Sequence, residues 1–292
     1  MNNPSKHNKI AILICCFNRK QKTLACLESI FCQNEKDRFQ VDIYLVDDGS
    51  DGTSDFVNQT FSSVISIEGN GSLFWTGGMR VAWHTALQSG IDYDFFLLLN
   101  DDTVLFEDAL KTLLKDYFSL NSRKTIIVGT TLDSEKNVIT YGGRLLKNSY
   151  NLKYRTIVPN GMPQICDLGN GNIMLIPKCV VEKIGILSED YTHGIADYDY
   201  TLRAKKAGIP SYVASQALGL CNDNGHNWLT YKSATLKRRV QYLVDVKGLA
   251  YEEYLKFIRI HFPFYYVHAW VLLWTKTLFP FLWDRFKTNT IK

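Results

Sequence analysis

Residues 41–50, VDIYLVDDGS, begin as an apolar run of strand length and end abruptly in two aspartates and a glycine. Residues 95–102, FFLLLNDD, have the same arrangement, with five apolar residues followed by an asparagine and two aspartates. Uninterrupted apolar runs are typical of strands that are buried on both faces, as in a parallel sheet covered by helices. The two segments therefore predict polar side chains at the carboxyl ends of buried strands.

The sequence on either side alternates between strand and helix patterns. Further strands are predicted at residues 9–16 (KIAILICC), 126–128 and 172–176, and helices at 24–31, 53–60, 77–89, 107–118 and 198–207. Strands that alternate with helical segments favour βαβ connections. The predicted fold class is α/β, with a mostly parallel nucleotide-binding sheet flanked by helices.

The composition limits the function classes. The 292 residues are 46% hydrophobic and 21% charged, which excludes a disordered chain. A net charge of +4 is too small for a general nucleic-acid binder, so no nucleic-acid partner is expected. The seven cysteines include no CxxC pair, which excludes the common zinc and redox spacings and favours reduced thiols in the cytoplasm. The polar start MNNPSKHNK predicts no signal peptide.

The basic residues are concentrated near the end of the chain. From Thr230 to Lys292, 11 Lys and Arg residues stand against 4 Asp and Glu residues. We therefore expect a main domain at residues 1–230 and a helical, aromatic and basic extension at residues 231–292.

Three acidic clusters are candidates for a shared site. Two follow the apolar strands above, and the third, Asp197 with Asp199, opens the helix predicted at 198–207. Ligands of open parallel sheets bind outside the carboxyl ends of the strands, where several carboxylates need a cation or a donor-rich ligand. The alternative is that these residues only cap helices and fill turns.

Four segments together resemble a known family. They are CCFNRKQKTLACLESI (15–30), VDDGSDGT (46–53), LLLNDDT (97–103) and HGIADYDYTLRAKKAGIP (193–210). In order and spacing, from about Lys9 to Thr230, they are similar to the motifs of family 2 glycosyltransferases with the GT-A fold, in particular bacterial rhamnosyltransferase-like enzymes. The resemblance implies transfer with inversion from a UDP- or dTDP-linked sugar, in cell-surface polysaccharide synthesis.

The resemblance also implies a set of donor contacts. The residues of the first loop that would meet the nucleotide are Cys16, Phe17, Asn18 and Arg19. Either Asp47 or Asp48 would bind the base or ribose, unless the segment is only a polar turn. Gly77 and Gly78 would let the backbone approach the donor, and Arg80 would contact a phosphate or the base; the alternative is a plain turn beside a solvated cation.

A divalent cation, Mg²⁺ or Mn²⁺, is the implied cofactor. Asn100, Asp101 and Asp102 occupy the position of the family's DxD motif, with Asn100 in place of its first aspartate. Asp102 would be the metal ligand, while Asn100 and Asp101 would contact the donor. His226 would be a second metal ligand, although a histidine in a polar loop is more often a surface residue.

The acceptor end would be built around Asp197. This residue would be the general base, unless it merely caps the helix that follows. The residues expected to line the acceptor site are Gly169, Asn170, Gly171, His193 and Asp199. The acceptor would be a glycan, free or linked to a polyprenyl lipid.

The extension permits two interpretations. Residues 262–283 are rich in aromatic residues and lie near basic ones, which favours contact with the inner face of the plasma membrane by a cytoplasmic protein. On this interpretation, deletion after Thr230 leaves the fold intact. The alternative is a helix packed on the catalytic domain or on a second subunit of a homodimer.

Two other functions share these features. A nucleotide-sugar-binding protein without activity would fit the replacement of family residues at Asn100 and Ala196. A nucleotidyltransferase is also an acid-rich α/β enzyme, but it would release pyrophosphate instead of a nucleoside diphosphate.

Overall fold

The computed structural model describes residues 7–35, 39–122, 124–222 and 233–281. Helices flank a central sheet on both faces. They are α1 (Lys20–Phe31), α2 (Thr53–Thr60), α3 (Phe74–Gln88), α4 (Ala109–Ser119), α5 (Lys178–Ile184), α6 (Ala196–Lys206), α7 (Leu236–Val244), α8 (Tyr251–His261) and α9 (Tyr266–Leu278), with a 3₁₀ turn at Pro263–Tyr265.

Thirteen strands of the described chain form two sheets. The main sheet contains β1 (Asn8–Cys16), β2 (Phe39–Asp47), β3 (Val64–Glu68), β4 (Phe95–Leu99), β5 (Val104–Leu105), β6 (Ile126–Leu132), β7 (Ile139–Tyr141), β10 (Gln164–Cys166), β12 (Ile173–Pro177) and β13 (Ser211–Leu220). The small sheet contains β8 (Gly143–Leu146), β9 (Tyr154–Thr156) and β11 (Leu168–Gly169).

The main sheet has the order β10-β13-β6-β12-β4-β1-β2-β3. Its half β4-β1-β2-β3 is parallel, whereas β12 runs antiparallel between β4 and β6. The predicted α/β class is therefore confirmed, and the antiparallel β12 is a feature that the apolar pattern did not reveal.

Apolar side chains bury both faces of this sheet. Along β1, Leu13 and Cys15 join the core on one face, and Ile12 and Ile14 join the core on the other. The two-residue period of a strand makes this alternation, so an uninterrupted apolar run is needed where helices cover both faces. The polar residues after β1, β2 and β4 are consequently left at one edge of the sheet.

Gly78 has a packing role that differs from the predicted donor contact. A Cβ atom at this position would lie 2.1 Å from Cys15 Sγ, so only glycine lets α3 approach β1 so closely. A Cβ atom at Gly77 would lie 3.3 Å from Leu73 Cβ in the preceding turn. Both glycines therefore seat α3 and do not line the cavity described below.

The C-terminal extension packs on the main domain. Its buried apolar residues belong to the same core as one face of the sheet: Leu243, Leu255, Phe257, Ile258, Phe262, Ala269 and Leu273. This contact agrees with the packing alternative and argues against the expectation that deletion after Thr230 leaves the fold intact.

The extension begins with α7 and α8, which are separated by a turn after Val244. Gly248 lies in this turn, so close to α7 that a Cβ there would lie 2.1 Å from the Tyr242 carbonyl oxygen. Ala250 follows with φ 44°, a conformation that a helix interior does not contain. Residues 245–250 therefore form a turn, and this turn reaches the site described next.

Candidate active site

A cavity of about 950 Å³ lies at the carboxyl ends of β1, β2 and β4. Asp48, Asp102 and Asp197, which are far apart in the sequence, all line it. The other predicted site residues that line it are Cys16, Phe17, Arg19, Asn100, Asn170, Gly171 and His193. The structure thus brings the three acidic clusters to one pocket.

The two aspartates after β2 have different partners. Asp47 accepts hydrogen bonds from the backbone N–H groups of Gly49 (3.0 Å) and Ser54 (2.9 Å) and so fixes the following turn. Asp48 lines the cavity and accepts from the N–H groups of Gly71 (2.7 Å) and Phe74 (3.1 Å). Of the two alternatives, Asp48 is the one at the cavity.

Arg19 joins the first loop to the acidic cluster after β4. Its Nη1 donates to Asp102 Oδ2 at 2.8 Å, and its Nη2 donates to Asp101. Burial raises the pKa of Asp101 to about 7, although Arg19 opposes this shift. Asp101 is 1% exposed and does not line the cavity, so the cavity carboxylate of this cluster is Asp102.

The Asn100 side chain is engaged by an indole ring. Trp75 Nε1 donates to Asn100 Oδ1 at 2.8 Å, so the oxygen that was expected to reach the sugar or metal already has one donor. The far edge of the same indole lies against Gly171, where a Cβ would meet the ring at 2.6 Å. Trp75 therefore spans the cavity wall from Asn100 to Gly171.

Asp197 is held at the start of α6 by donors on both of its oxygens. Oδ2 accepts from the Gly171 N–H at 3.0 Å and from Asn170 Nδ2 at 3.4 Å, and Oδ1 accepts from the Tyr198 N–H at 2.7 Å. Burial raises the pKa of Asp197 above that of an ordinary aspartate, while the hydrogen bonds and Arg144 oppose the rise. A carboxylate of this kind is positioned and tuned to accept a proton.

The backbone is strained at three points of the cavity wall. Phe74, Ile195 and Ala250 have φ values of 53°, 64° and 44°. Positive φ is costly for a β-branched or aromatic residue and persists only where the surrounding structure enforces it. Ile195 directly precedes α6, so its conformation helps to orient Asp197 toward the cavity.

His193 lies on the same wall as a neutral ring. Burial, together with the nearby charges of Lys247 and Arg19, lowers its pKa. Its carbonyl oxygen accepts from Thr76 Oγ1 at 3.1 Å, and its ring lies 6.2 Å from that of Phe74. Its Nδ1 is buried without a hydrogen-bond partner among the described residues.

Several predicted site residues lie away from the cavity. Arg80 donates to the carbonyl oxygens of Ser188 (2.8 Å) and Tyr191 (3.0 Å), so it clamps a loop and is not a donor contact. Asn18 accepts from the Ser50 N–H at 2.7 Å beside the first loop. Gly169 is buried against Val128.

Asp199 was predicted to line the acceptor site, but the structure places it outside the cavity. It is 2% exposed and accepts from Arg203 Nε at 2.7 Å, and its Oδ1 lies 2.8 Å from His261 Nε2. Burial alone would raise the pKa of Asp199, but the hydrogen bonds from His261 and Arg203 outweigh it and lower the pKa. Asp199 therefore connects α6 to α8 inside the protein.

The sequence reasoning missed other residues of the cavity. The turn 246–250 forms one wall, and Lys247 places its Nζ 4.9 Å from the Phe17 ring and 5.4 Å from the Phe74 ring. Arg144 and Tyr198 line another wall. Lys247 belongs to the basic extension, in which no residue was predicted to line this part of the site. No sequence pattern indicated a role for Arg144.

The family of the chain follows from its sequence profile. The profile described as "Glycosyltransferase like family 2" matches residues 7–243. The chain belongs to glycosyltransferase-like family 2. The predicted family and GT-A fold are thereby confirmed.

Solved structures of other proteins share the fold. TarS 1–349 of S. aureus has 13% identity and a TM-score of 0.52, over 80% of this chain and 65% of that chain. The same TarS fragment in complex with UDP-GlcNAc has 12% identity and a TM-score of 0.53, over 81% and 67%. Mannosyltransferase PcManGT from Pyrobaculum calidifontis, in complex with GDP-Man and Mn²⁺, has 13% identity and a TM-score of 0.57, over 93% and 71%.

These likenesses show the fold alone, because the identities are low. The chain also spans less than two thirds of the length of TarS 1–349. No curated protein sequence matches it.

Proposed function

We propose that the protein transfers a sugar from a nucleoside diphosphate sugar to an acceptor hydroxyl, with inversion at the anomeric carbon. The observation that supports this most strongly is the single cavity shared by Asp48, Asp102 and Asp197. Its volume of about 950 Å³ is in the range that encloses a ligand of this size. The solved structures of TarS with UDP-GlcNAc and of PcManGT with GDP-Man support the same class of donor.

In this proposal Asp48 contacts the nucleoside. Its oxygens already accept from Gly71 and Phe74, but each carboxylate oxygen has two lone pairs. A ribose hydroxyl or a base N–H supplies the remaining donors. The exposed ring of Phe17 lies on the same side of the cavity.

Asp102 would hold the divalent cation. Within the described ranges, no three His, Cys, Asp or Glu side chains are grouped to bind a metal by themselves. One cavity carboxylate nevertheless fits Mg²⁺ or Mn²⁺, because such ions are commonly held by one or two carboxylates together with substrate phosphates. When bound, the ion offsets charge on the departing diphosphate. His226, the other predicted ligand, lies outside the described residues.

Asp197 would act as the general base. It accepts the proton of the acceptor hydroxyl while the hydroxyl oxygen attacks the anomeric carbon. The bond from that carbon to the diphosphate oxygen breaks, and the nucleoside diphosphate leaves with the electron pair. Arg19, which bridges Asp101 and Asp102, supplies positive charge next to the leaving group.

The reaction is tested by analysing the products formed from a panel of UDP-, dTDP- and GDP-linked sugars, dTDP-rhamnose included, with Mg²⁺ or Mn²⁺ and extracts of cell-surface glycans. We expect release of a nucleoside diphosphate and an NMR spectrum of the product with an inverted anomeric configuration. Pyrophosphate release would indicate a nucleotidyltransferase, and donor binding without any product would indicate a binding protein.

Asp48→Ala is expected to weaken binding of the preferred donor by about 10- to 100-fold, because hydrogen bonds to a charged group contribute roughly 1.5–3 kcal/mol. The measurement is isothermal titration with the donor that best stabilises the wild type. Asp55→Ala, which removes an exposed acidic residue of α2, is the control and should not change the affinity. Unchanged affinity in Asp48→Ala would contradict its proposed role.

We further propose that the extension binds the surface of an anionic membrane. One face of α9 packs on the domain through Ala269, Leu273 and Thr277. The apolar residues left exposed on α9 and the turn before it are Phe264, Val267, Trp270, Val271 and Leu278. Positions 267, 270 and 271 share one helix face, and Lys237, Arg238 and Arg259 are exposed on α7 and α8.

The surface would let the protein work beside a lipid-linked acceptor on the cytoplasmic side of the membrane. Among the described residues, no helix is both long and apolar enough to cross a bilayer. Attachment would therefore rest on the exposed α9 face and the nearby basic residues, both of which suit anionic headgroups.

The double substitution Phe264→Ser with Trp270→Ser is expected to lower flotation with phosphatidylglycerol vesicles by at least about 10-fold, since each large apolar side chain contributes roughly 1.5–3 kcal/mol when buried. Val158→Ser with Met162→Ser changes exposed apolar residues of another loop and is the matched control. Unchanged flotation would exclude the proposed surface. A wild-type dimer that the first pair disrupts would instead assign the surface to a second copy.

A further inference from the structure

Arg144 is a cation held rigidly in the cavity wall. It lies on β8 of the small sheet, opposite Thr156 of β9, so Tyr154 is its diagonal neighbour across the strands. Gly143 anchors this strand to the main sheet, since a Cβ there would lie 2.2 Å from Val213. The position of the Arg144 side chain is thus set by strand register and not by a mobile loop.

Two tyrosines fix the orientation of this guanidinium. Its central carbon lies 4.4 Å from the Tyr154 ring centre and 5.5 Å from the Tyr198 ring centre. Its Nη1 donates to the Tyr154 hydroxyl at 2.7 Å and also to the Tyr198 hydroxyl. Burial raises the pKa of Tyr198, so this hydroxyl stays a neutral phenol and does not balance the charge of Arg144.

The guanidinium has unused donors. Among the described residues, Arg144 donates hydrogen bonds only from Nη1, to the two tyrosine hydroxyls, and its charge acts on Asp197 without a direct ion pair. An arginine presents its N–H groups as a planar fork that matches the two oxygens of a carboxylate or a phosphate. The Arg144 guanidinium therefore presents N–H groups on the cavity wall that can bind the oxygens of an anionic ligand.

A series of contacts gives the position of Arg144 relative to the donor. Asn100, next to Asp102, bonds to Trp75, whose far edge lies on Gly171. Gly171 then donates to Asp197, and Tyr198 follows with Arg144 against it. In this series Arg144 is next to Asp197, whose pKa its charge lowers, and is several contacts away from Asp102.

The donor diphosphate has other cations available. Arg19 bonds to Asp102, and Lys247 lies against Phe17 and Phe74, of which Phe74 donates its backbone N–H to Asp48. A base that takes the acceptor proton must lie between donor sugar and acceptor. The end of the cavity beyond Asp197 is thus the acceptor end.

We infer that Arg144 binds an anionic group of the acceptor, and that the acceptor is a saccharide carrying a carboxylate or a phosphate close to the hydroxyl that is glycosylated. The inference rests on the proposed function, because it takes Asp197 as the base. It adds a substrate class: uronate-containing or phosphate-containing glycans are preferred to neutral ones.

Ligand-observed NMR with three glycosides tests this inference, with the full chain saturated in UDP or in its preferred nucleotide so that the donor end is filled. The probes are methyl glucoside, methyl glucuronide and methyl glucoside 6-phosphate. We expect at least one anionic glycoside to bind about 10-fold more tightly than the neutral one, and Arg144→Gln to remove this preference. If only methyl glucuronide binds more tightly than methyl glucoside, the acceptor group is a carboxylate. If only the 6-phosphate does, the group is a phosphate.

Two further variants and a measurement of nucleotide binding serve as controls for this test. Arg144→Lys preserves the charge but not the fork and should restore only part of the preference, while Arg155→Gln, an exposed neighbour on β9, should leave it intact. Nucleotide binding by Arg144→Gln should equal that of the wild type, which also reports that the variant is folded.

Three outcomes would overturn the inference. They are equal binding of the three glycosides by the wild type, a preference that survives in Arg144→Gln, and a loss of nucleotide affinity in that variant, which would assign Arg144 to the donor. Failure of the proposed function is separate: the wild type would then bind no nucleotide sugar, whatever its preference among glycosides.

Discussion

Asp197→Asn is expected to lower the rate of sugar transfer by roughly 10²–10⁴-fold while leaving the donor bound. The amide has nearly the same shape, but it cannot take up the proton of the acceptor hydroxyl. Asp102 and Asp48, which we assign to the donor, are not among the hydrogen-bond partners of Asp197. The measurements are the turnover rate with the preferred donor and the affinity for that donor by titration.

The dependence of wild-type activity on pH is a second test of the role of Asp197. Because burial raises the pKa of Asp197, the base becomes protonated, and kcat/KM falls, at a higher pH than for an ordinary aspartate. Asp199→Asn is the comparison, since this carboxylate faces the interior and its loss should affect stability more than turnover. Full activity in Asp197→Asn, or an acidic limb that persists there unchanged, would exclude Asp197 as the base.

Much of the fold could be predicted because its strands are buried on both faces. The runs at 9–16, 41–46 and 95–99 are apolar apart from Lys9 and Asp42 near the strand starts and the buried Tyr44, and each lies within a strand of the structure. The helix and strand ends were less predictable. The helix expected at 24–31 begins at Lys20, and the strand expected at 126–128 continues to Leu132, because polar residues at these ends are paired by neighbouring elements.

The site residues that directly follow a strand of the main sheet could be predicted from the sequence. Those that come from the small sheet or from the extension could not. Asp48, Asn100 and Asp102 come directly after apolar runs, so their common edge follows from the sheet alone. Arg144 reaches the cavity through the register of a small antiparallel sheet, and Lys247 through a turn between two helices of the extension. Neither long-range placement leaves a local pattern.

The helical period would have separated Asp197 from Asp199 in advance. Residues two positions apart on a helix point about 200° from each other, so both cannot face one cavity. The structure has Asp197 at the cavity and Asp199 against His261. The helical period of α6 is therefore a sequence signal that separates Asp197 from Asp199, whereas the family motif alone does not.

Phe257→Ala is expected to destabilise the whole protein by about 3–5 kcal/mol, the usual cost of removing a fully buried phenylalanine side chain. Phe257 is 0% exposed and packs against Tyr191, His261 and Phe262 in the core that also covers the sheet. Total stabilities are about 5–15 kcal/mol, so a large part would be lost. The measurement is urea unfolding followed by circular dichroism, and truncation after residue 230 should be at least as damaging.

Phe264→Ala is the matched control, because this phenylalanine of the same extension is 89% exposed and contributes little apolar burial within the protein. Its unfolding curve should coincide with that of the wild type. Donor affinity should fall in Phe257→Ala only as far as the folded fraction falls, unless the turn 246–250 moves with α8. If Phe257→Ala unfolds at the same urea concentration as Phe264→Ala, the extension is a separable appendage, and the turn that lines the cavity is not held there by the core.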